Sequence, residues 1–199
     1  MIPPTADRPR FLVMAKPPVP GQVKTRLTTK LSAEQAAAVH AAMFAALVAR
    51  LDRFVQAQQA SLILALAVPD DQLTHRSAIL DHAFRDHPDA RDTLTAADLT
   101  LVSQGTGPLG QRIAHAWPDQ SPAVVLGVDS PDLPESHFQA ALVAAAPPEP
   151  ATCSADHQPP DAAIGPTGDG GYWTLAAPPP PPPPHRGNPP PPKPRGPPP

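Results

Sequence analysis

The feature that most limits what this chain can fold into is a series of short, almost uninterrupted apolar runs. Arg10 to Ala15 reads RFLVMA, Ser61 to Val68 reads SLILALAV, Leu99 to Ser103 reads LTLVS and Ala123 to Val128 reads AVVLGV. Each is shorter than an ordinary helix and lacks the polar residue at every second position that marks a strand with one wet face. Runs of this kind are strands covered on both sides, the situation of a parallel sheet between layers of helices. Asp161 to Gly165, DAAIG, is a weaker fifth candidate, and Tyr172 and Trp173 begin a further strand.

Helical patterns separate the strands. Ser32 and Gln35 have the spacing of a capping box, and Val39, Met43, Leu47 and Leu51 follow four apart, as one face of a helix would require. Shorter helices are expected over Gln72 to Phe84, Leu109 to Trp117 and Glu135 to Ala146. Strands alternating with helices predict an α/β fold of three layers, α/β/α, around a mostly parallel sheet with right-handed crossovers.

Proline marks where this organisation stops. From Pro178 onward the chain is dominated by proline and has no apolar period, so it cannot continue a helix or enter a central strand. We expect one domain over residues 1–177 and a polyproline or disordered tail over residues 178–199. A chain of 199 residues is enough for one sizeable core.

Charge and composition exclude several roles. A net charge of −3 gives no general attraction to nucleic acid or to an anionic membrane, so any anion site must be local. No apolar run reaches the roughly 20 residues that span a bilayer, and the N-terminal stretch is broken at Lys16, which predicts a cytoplasmic protein. Cys153 is the only cysteine, so no internal disulfide forms, and no nearby Lys or Arg in the sequence favours its thiolate.

In parallel α/β sheets ligands bind beyond the carboxyl ends of the strands, so the residues there matter most. After the first strand comes AKPPVPGQVKTRL, where Lys16, Lys24 and Arg26 surround a proline-stiffened loop and Gly21 permits a tight turn. Cations with exposed backbone N–H groups make a phosphate cradle; a solvated basic loop is the plain alternative. After the third strand comes QGTGPLGQRI. Gln104 offers an amide suited to a base edge, and Gly105, Gly107 and Gly110 allow a flat group close to the main chain, unless the segment is simply a surface turn.

The fourth strand delivers two acids, in VDSPDLP. Asp129, with Asp132 three residues on as an additional candidate, offers hard oxygen suited to Mg²⁺ or Mn²⁺, although Asp132 or Asp129 could instead cap the helix that starts near Pro134. Asp169, set among Gly168, Gly170 and Gly171, is either a further metal carboxylate or part of a hairpin turn. Other chemistry lacks its residues. There is no Gly-Lys-Ser/Thr loop, no H-E-x-x-H and no G-x-S-x-G. Aromatic residues make up only 4% of the chain, too few to form a single-strand nucleic-acid platform.

Taken together, MAKPPVPGQVKTRL, QGTGPLGQRI, GVDSPDLP and IGPTGDGGYW resemble, in order and spacing, a bacterial family of GT-A-type transferases. Its members are described as glycosyltransferases, some linked to arsenosugar biosynthesis or to radical SAM enzymes. The chain also resembles the nucleotidyltransferases that make molybdopterin and lactate-derived cofactors. The resemblance covers Arg10 to Ala176 and implies a GT-A-like nucleotide-binding domain. Lys16, Lys24 and Arg26 match its basic loop, Gln104 and its glycines the base-side loop, Asp129 the metal aspartate, and Asp169 the acid of D-G-G-Y.

The activity so implied is metal-dependent transfer from an activated nucleotide, first a nucleotide sugar, alternatively a nucleoside triphosphate, to a small-molecule acceptor, with no nucleic acid or membrane partner. Pro108 stands where the family has an acid, and Ser130 where many members have Cys. Similar proteins continue past the G-G-Y strand with further strand and helix, where this chain turns to proline. We read that change as a shifted reading frame in a GC-rich gene, or else as a polyproline ligand for an aromatic groove. A non-catalytic nucleotide-binding remnant is the third functional expectation.

Overall fold

A computed structural model describes residues 9–69, 73, 75–117, 121–146, 162–168 and 172–178. The strands are β1 (Arg10–Ala15), β2 (Ser61–Leu66), β3 (Leu99–Ser103), β4 (Ala123–Gly127), β5 (Ala163–Pro166) and β6 (Tyr172–Ala177). The helices are α1 (Ala33–Ala57), α2 (Arg76–Ala83), α3 (Pro88–Ala96), α4 (Leu109–Ala116) and α5 (Glu135–Ala145), with a 3₁₀ turn over Thr25–Thr29. The strands form one sheet in the order β3-β2-β1-β4-β6-β5. β1 pairs in parallel with β2 and β4, and β2 with β3, so four strands end at one edge. β6 runs antiparallel to β4 and to β5.

The period of two along each strand divides the core into two layers. Phe11, Val13, Leu62, Leu64, Val124 and Leu126 pack on one face, against residues of α1, α2, α3 and α5. Leu12, Ile63, Ala65 and Val125 point to the other face and meet Ile113 and Ala116 of α4. Helices thus cover both faces, which is why the strand sequences read as continuous apolar runs. Phe11 anchors the larger layer, with ring centroids 5.5 Å from Phe54 and 6.3 Å from Phe138 in edge-on contacts. Each such fully buried side chain contributes about 1.5–3 kcal/mol of transfer free energy.

The capping box forms as expected. Gln35 N–H donates to Ser32 Oγ at 3.2 Å, and Ser32 N–H donates to Gln35 Oε1 at 2.8 Å. The buried face of α1 differs from the four-spaced row. Val39 is exposed, whereas Phe44, Leu47, Leu51 and Phe54 are buried. A strict spacing of four advances about 40° per step around a helix of 3.6 residues per turn, so the true stripe mixes steps of three and four.

Other boundaries shift for local reasons. β2 ends at Leu66 rather than Val68, because Val68 N–H turns back to the Leu66 carbonyl at 2.9 Å while Ser103 Oγ donates to the Val68 carbonyl at 2.6 Å. β4 ends at Gly127, one residue early, and β5 is displaced to Ala163–Pro166, with a register irregularity at Gly165/Pro166. α2 begins at Arg76 instead of Gln72, and α4 and α5 each stop one residue short of the expected end. α3 has no counterpart in the sequence reading. Only Ala90 and Leu94 are buried along it, so its apolar signal is two residues long. The proline-rich stretch from residue 179 onward, Cys153 and Asp161 lie outside the described residues.

Candidate functional site

The carboxyl edge of the four parallel strands carries a cavity of about 870 Å³. Five of the residues expected at a ligand site come together on its wall: Lys16, Lys24, Arg26, Gln104 and Asp129. They arrive from three strand ends, since Lys16 follows β1, Gln104 follows β3 and Asp129 lies two residues past β4. A second cavity of about 600 Å³ lies beside it and shares Lys16 and Gln22; Val19, Val68, Pro69 and Ile79 make its wall largely apolar.

One contact joins the two most charged loops. Lys24 Nζ donates to Asp129 Oδ1 at 2.7 Å. The lysine side chain is 19% exposed and the aspartate 77%, so the carboxylate faces water and the ammonium is mostly sheltered. Lys24 also holds φ 48° and ψ 34°, the left-handed region that costs a residue with a Cβ roughly 1–2 kcal/mol. Backbone strain of this kind gathers at ligand sites. Gly21, at φ 76°, makes the permitted tight turn in the same loop, but it does not line the cavity.

Gln104 has a different task from the base-edge contact expected of it. It is 2% exposed, and its Nε2 donates to the carbonyls of Ala15 and Ala65, each at 2.8 Å. Its Oε1 accepts from Arg112 Nη1 at 2.6 Å. Both amide hydrogens are therefore used inside the protein, and the side chain ties the ends of β1 and β2 to α4. The glycines that follow shape the loop and do not line the cavity. Gly105 has φ 63°, and a Cβ there would lie 2.9 Å from the His115 ring. Gly107 has φ 102°, while Gly110 sits inside α4 with open space around it.

The second acid of the pair is separated from the first. Asp132 is exposed and does not line the cavity. The capping alternative fails for both acids, because the residue that caps α5 is Pro134 and no side chain bonds to that helix end. Arg50 of α1 instead secures the loop, its guanidinium donating to the carbonyls of Pro131 and Leu133 on either side of Asp132. Asp169 lies outside the described residues.

Two wall residues, His40 and Arg112, had no role in the sequence reading. His40 is buried in α1, with Nε2 3.0 Å from the Lys16 carbonyl. A carbonyl only accepts, so Nε2 carries the proton and Nδ1 is the unprotonated nitrogen. Nδ1 is buried and finds no hydrogen-bond partner among the described residues. Burial is the main cause that lowers the pKa of this histidine. The bond to Lys16 opposes it, Lys24 and His87 add to the lowering, and Asp129 acts against it. A neutral imidazole inside an alanine-rich helix face was the available signal. For Arg112 the signal was its place eight residues after Gln104 in QGTGPLGQRI.

Among the described residues no group of three or more His, Cys, Asp or Glu could hold a metal ion alone. Asp129 by itself suits an ion that takes one or two protein carboxylates and fills its shell with phosphate oxygens and water, as Mg²⁺ does. No helix among the described residues is long and apolar enough to cross a membrane.

Residues 50–187 match the family described as "Uncharacterized protein conserved in bacteria (DUF2064)". The chain belongs to that family. It is also similar, at 26% identity and a TM-score of 0.55, to a crystal structure from Desulfovibrio desulfuricans G20 described as a "putative nucleotide-diphospho-sugar transferase". That similarity covers 86% of this chain and 63% of the other, so the chain spans less than two thirds of its neighbour's length. No protein with a curated description matches the sequence.

Proposed function

We propose that this member of the DUF2064 family is a metal-dependent transferase that takes an activated nucleotide as donor, first of all a nucleotide sugar. The observation that carries the reading is the Lys24–Asp129 pair at 2.7 Å, which sets a cation and a hard-oxygen ligand side by side at the strand edge. A nucleotide diphosphate needs both, the cation for its phosphate oxygens and the carboxylate for the ion those oxygens share. The name borne by the neighbour from Desulfovibrio points to the same donor class.

In this reading Lys16, Lys24 and Arg26 hold the phosphates, and the apolar neighbouring cavity takes the base, since Gln104 has no amide hydrogen left for it. Asp129, with Asp169 as the expected second carboxylate, would hold Mg²⁺ or Mn²⁺. The bound ion would offset negative charge on the leaving diphosphate. The acceptor hydroxyl oxygen bonds to the anomeric carbon as that carbon's bond to the phosphate oxygen breaks. Nucleoside diphosphate leaves and the hydroxyl proton is released to solvent. Lys16 and Arg26 have no carboxylate within ion-pair distance among the described residues, which leaves their charge available to the departing group.

That same excess of positive charge favours a second reading, nucleotidyl transfer. An acceptor oxygen would then attack the α-phosphorus of a nucleoside triphosphate, and pyrophosphate would leave.

The test is thermal shift with UDP-glucose, GDP-mannose, CTP and GTP, each with Mn²⁺ or EDTA, on the native sequence and on Asp129→Ala. We expect one donor to raise the melting temperature only with Mn²⁺ and only when Asp129 is intact. That donor is then assayed for turnover, and binding without turnover would identify a nucleotide-binding protein with no transferase activity. Folded protein that responds to no donor would overturn the proposal.

A further inference from the structure

Four cations line the large cavity, and they are not equivalent. Lys24 is answered by Asp129 at 2.7 Å. Arg112 has no carboxylate within ion-pair distance among the described residues; its guanidinium donates to the neutral Oε1 of Gln104, at 2.6 Å. A carboxylate in that position would cancel the guanidinium charge, whereas an amide oxygen orients the group and leaves its full charge in place. The amide cannot rotate to present its nitrogen instead. Its two hydrogens are held by the Ala15 and Ala65 carbonyls, each at 2.8 Å, and a flip would set donor against donor at Arg112 and oxygen against oxygen at the strand ends.

We propose that Arg112 is an anion-binding residue of this cavity, contacting a phosphate of the donor, and that Gln104 is the positioning residue that aims it. One guanidinium N–H is taken by Gln104, and the remaining donors form the planar fork that matches two phosphate oxygens. α4 supplies the fourth side of a cradle whose other cations come from the loop after β1. The buried amide fixes the distance between them, because it is bonded to the ends of both β1 and β2. This inference rests on reading the cavity as a phosphate site.

The experiment is calorimetric titration with inorganic pyrophosphate and with the nucleotide that gives the largest thermal shift. It compares the native sequence, Arg112→Gln, Arg112→Lys and Gln104→Glu, with Arg91→Gln as a surface control. Arg112→Gln should weaken binding at least tenfold without lowering the melting temperature of the ligand-free protein. Arg112→Lys should recover only part of the loss, since an ammonium is not a planar fork. Gln104→Glu should weaken binding with Arg112 still present, and raising the salt concentration should change the affinity of Arg112→Gln less than that of the native sequence. Native-like affinity in Arg112→Gln, with Lys16→Ala losing binding, would overturn the role of Arg112 and leave the phosphate site standing. A melting temperature that falls in step with affinity would assign Arg112 a structural role instead. No binding of either ligand by the native sequence would remove both the site and this inference.

Discussion

Lys24 and Asp129 lie 105 residues apart in the chain and meet at 2.7 Å, joining the loop after β1 to the loop after β4. The pair is poorly suited to stabilise the fold, because the carboxylate is 77% exposed and pairs open to solvent contribute about 0–1 kcal/mol. Lys24→Ala is therefore expected to change unfolding free energy in urea by less than about 1 kcal/mol, since alanine keeps the Cβ and with it the left-handed cost. The same change should weaken nucleotide binding by tenfold or more. A large loss of stability with unchanged binding would mean that the pair is a structural clasp.

His40 predicts a dependence on pH. Its folded pKa is lowered from the ordinary 6.5, first by burial, so below 6.5 the unfolded chain binds the proton more readily than the folded one. Stability is then fully present above pH 6.5 and falls as pH drops from 6.5 toward the lowered folded value. Urea unfolding between pH 7.5 and 5 should show this slope, and His40→Gln should flatten it. An NMR titration that places His40 at or above 6.5 would refute the expectation.

The loop glycines separate two kinds of strain. Gly21→Ala meets nothing within 4 Å and bears only the left-handed backbone cost, about 1–2 kcal/mol. Gly105→Ala adds a Cβ 2.9 Å from the His115 ring, so it should cost about 1–2 kcal/mol more than Gly21→Ala. Denaturation midpoints of the two variants give the comparison, and equal losses would show that the ring moves away freely.

Arg50 is the hinge pin of the acid loop. Its guanidinium serves the Pro131 and Leu133 carbonyls and lies 5.6 Å from the Phe138 ring centroid. Arg50→Ala should cost about 1–3 kcal/mol through the two carbonyls it leaves without that partner. Arg50→Lys should restore only part, since a point charge cannot reproduce the fork. Hydrogen exchange at residues 130–133 would rise in Arg50→Ala, and an unchanged rate would show that the loop is held by other contacts.

Much of the architecture was visible in the sequence because it depends on local spacing. β1 and β3 fall where their apolar runs lie, and the Ser32–Gln35 box starts α1. α3 was hidden because a helix with only Ala90 and Leu94 inward has almost no period to detect. The path of β6 was hidden as well. An antiparallel strand inserted between β4 and β5 is covered by the same neighbours as a parallel one, so its composition does not reveal its direction.

At the candidate site, chain order alone sets which residue types stand at the strand ends: Lys16, Lys24 and Arg26 after β1, Gln104 after β3, Asp129 after β4. Chain order and strand position are enough for that. What each side chain is used for depends on which distant segments the fold brings beside it. Gln104 could read as a ligand contact until its amide met Ala15, 89 residues away, and Ala65, 39 residues away. Asp129 and, as the additional candidate, Asp132 could both read as metal ligands until the chain turned the first toward Lys24 and left the second exposed between two carbonyls held by Arg50. Hydrogen-bond donors and charges are satisfied by whatever lies within about 3 Å, and in a sheet built from distant segments those neighbours are set by the fold.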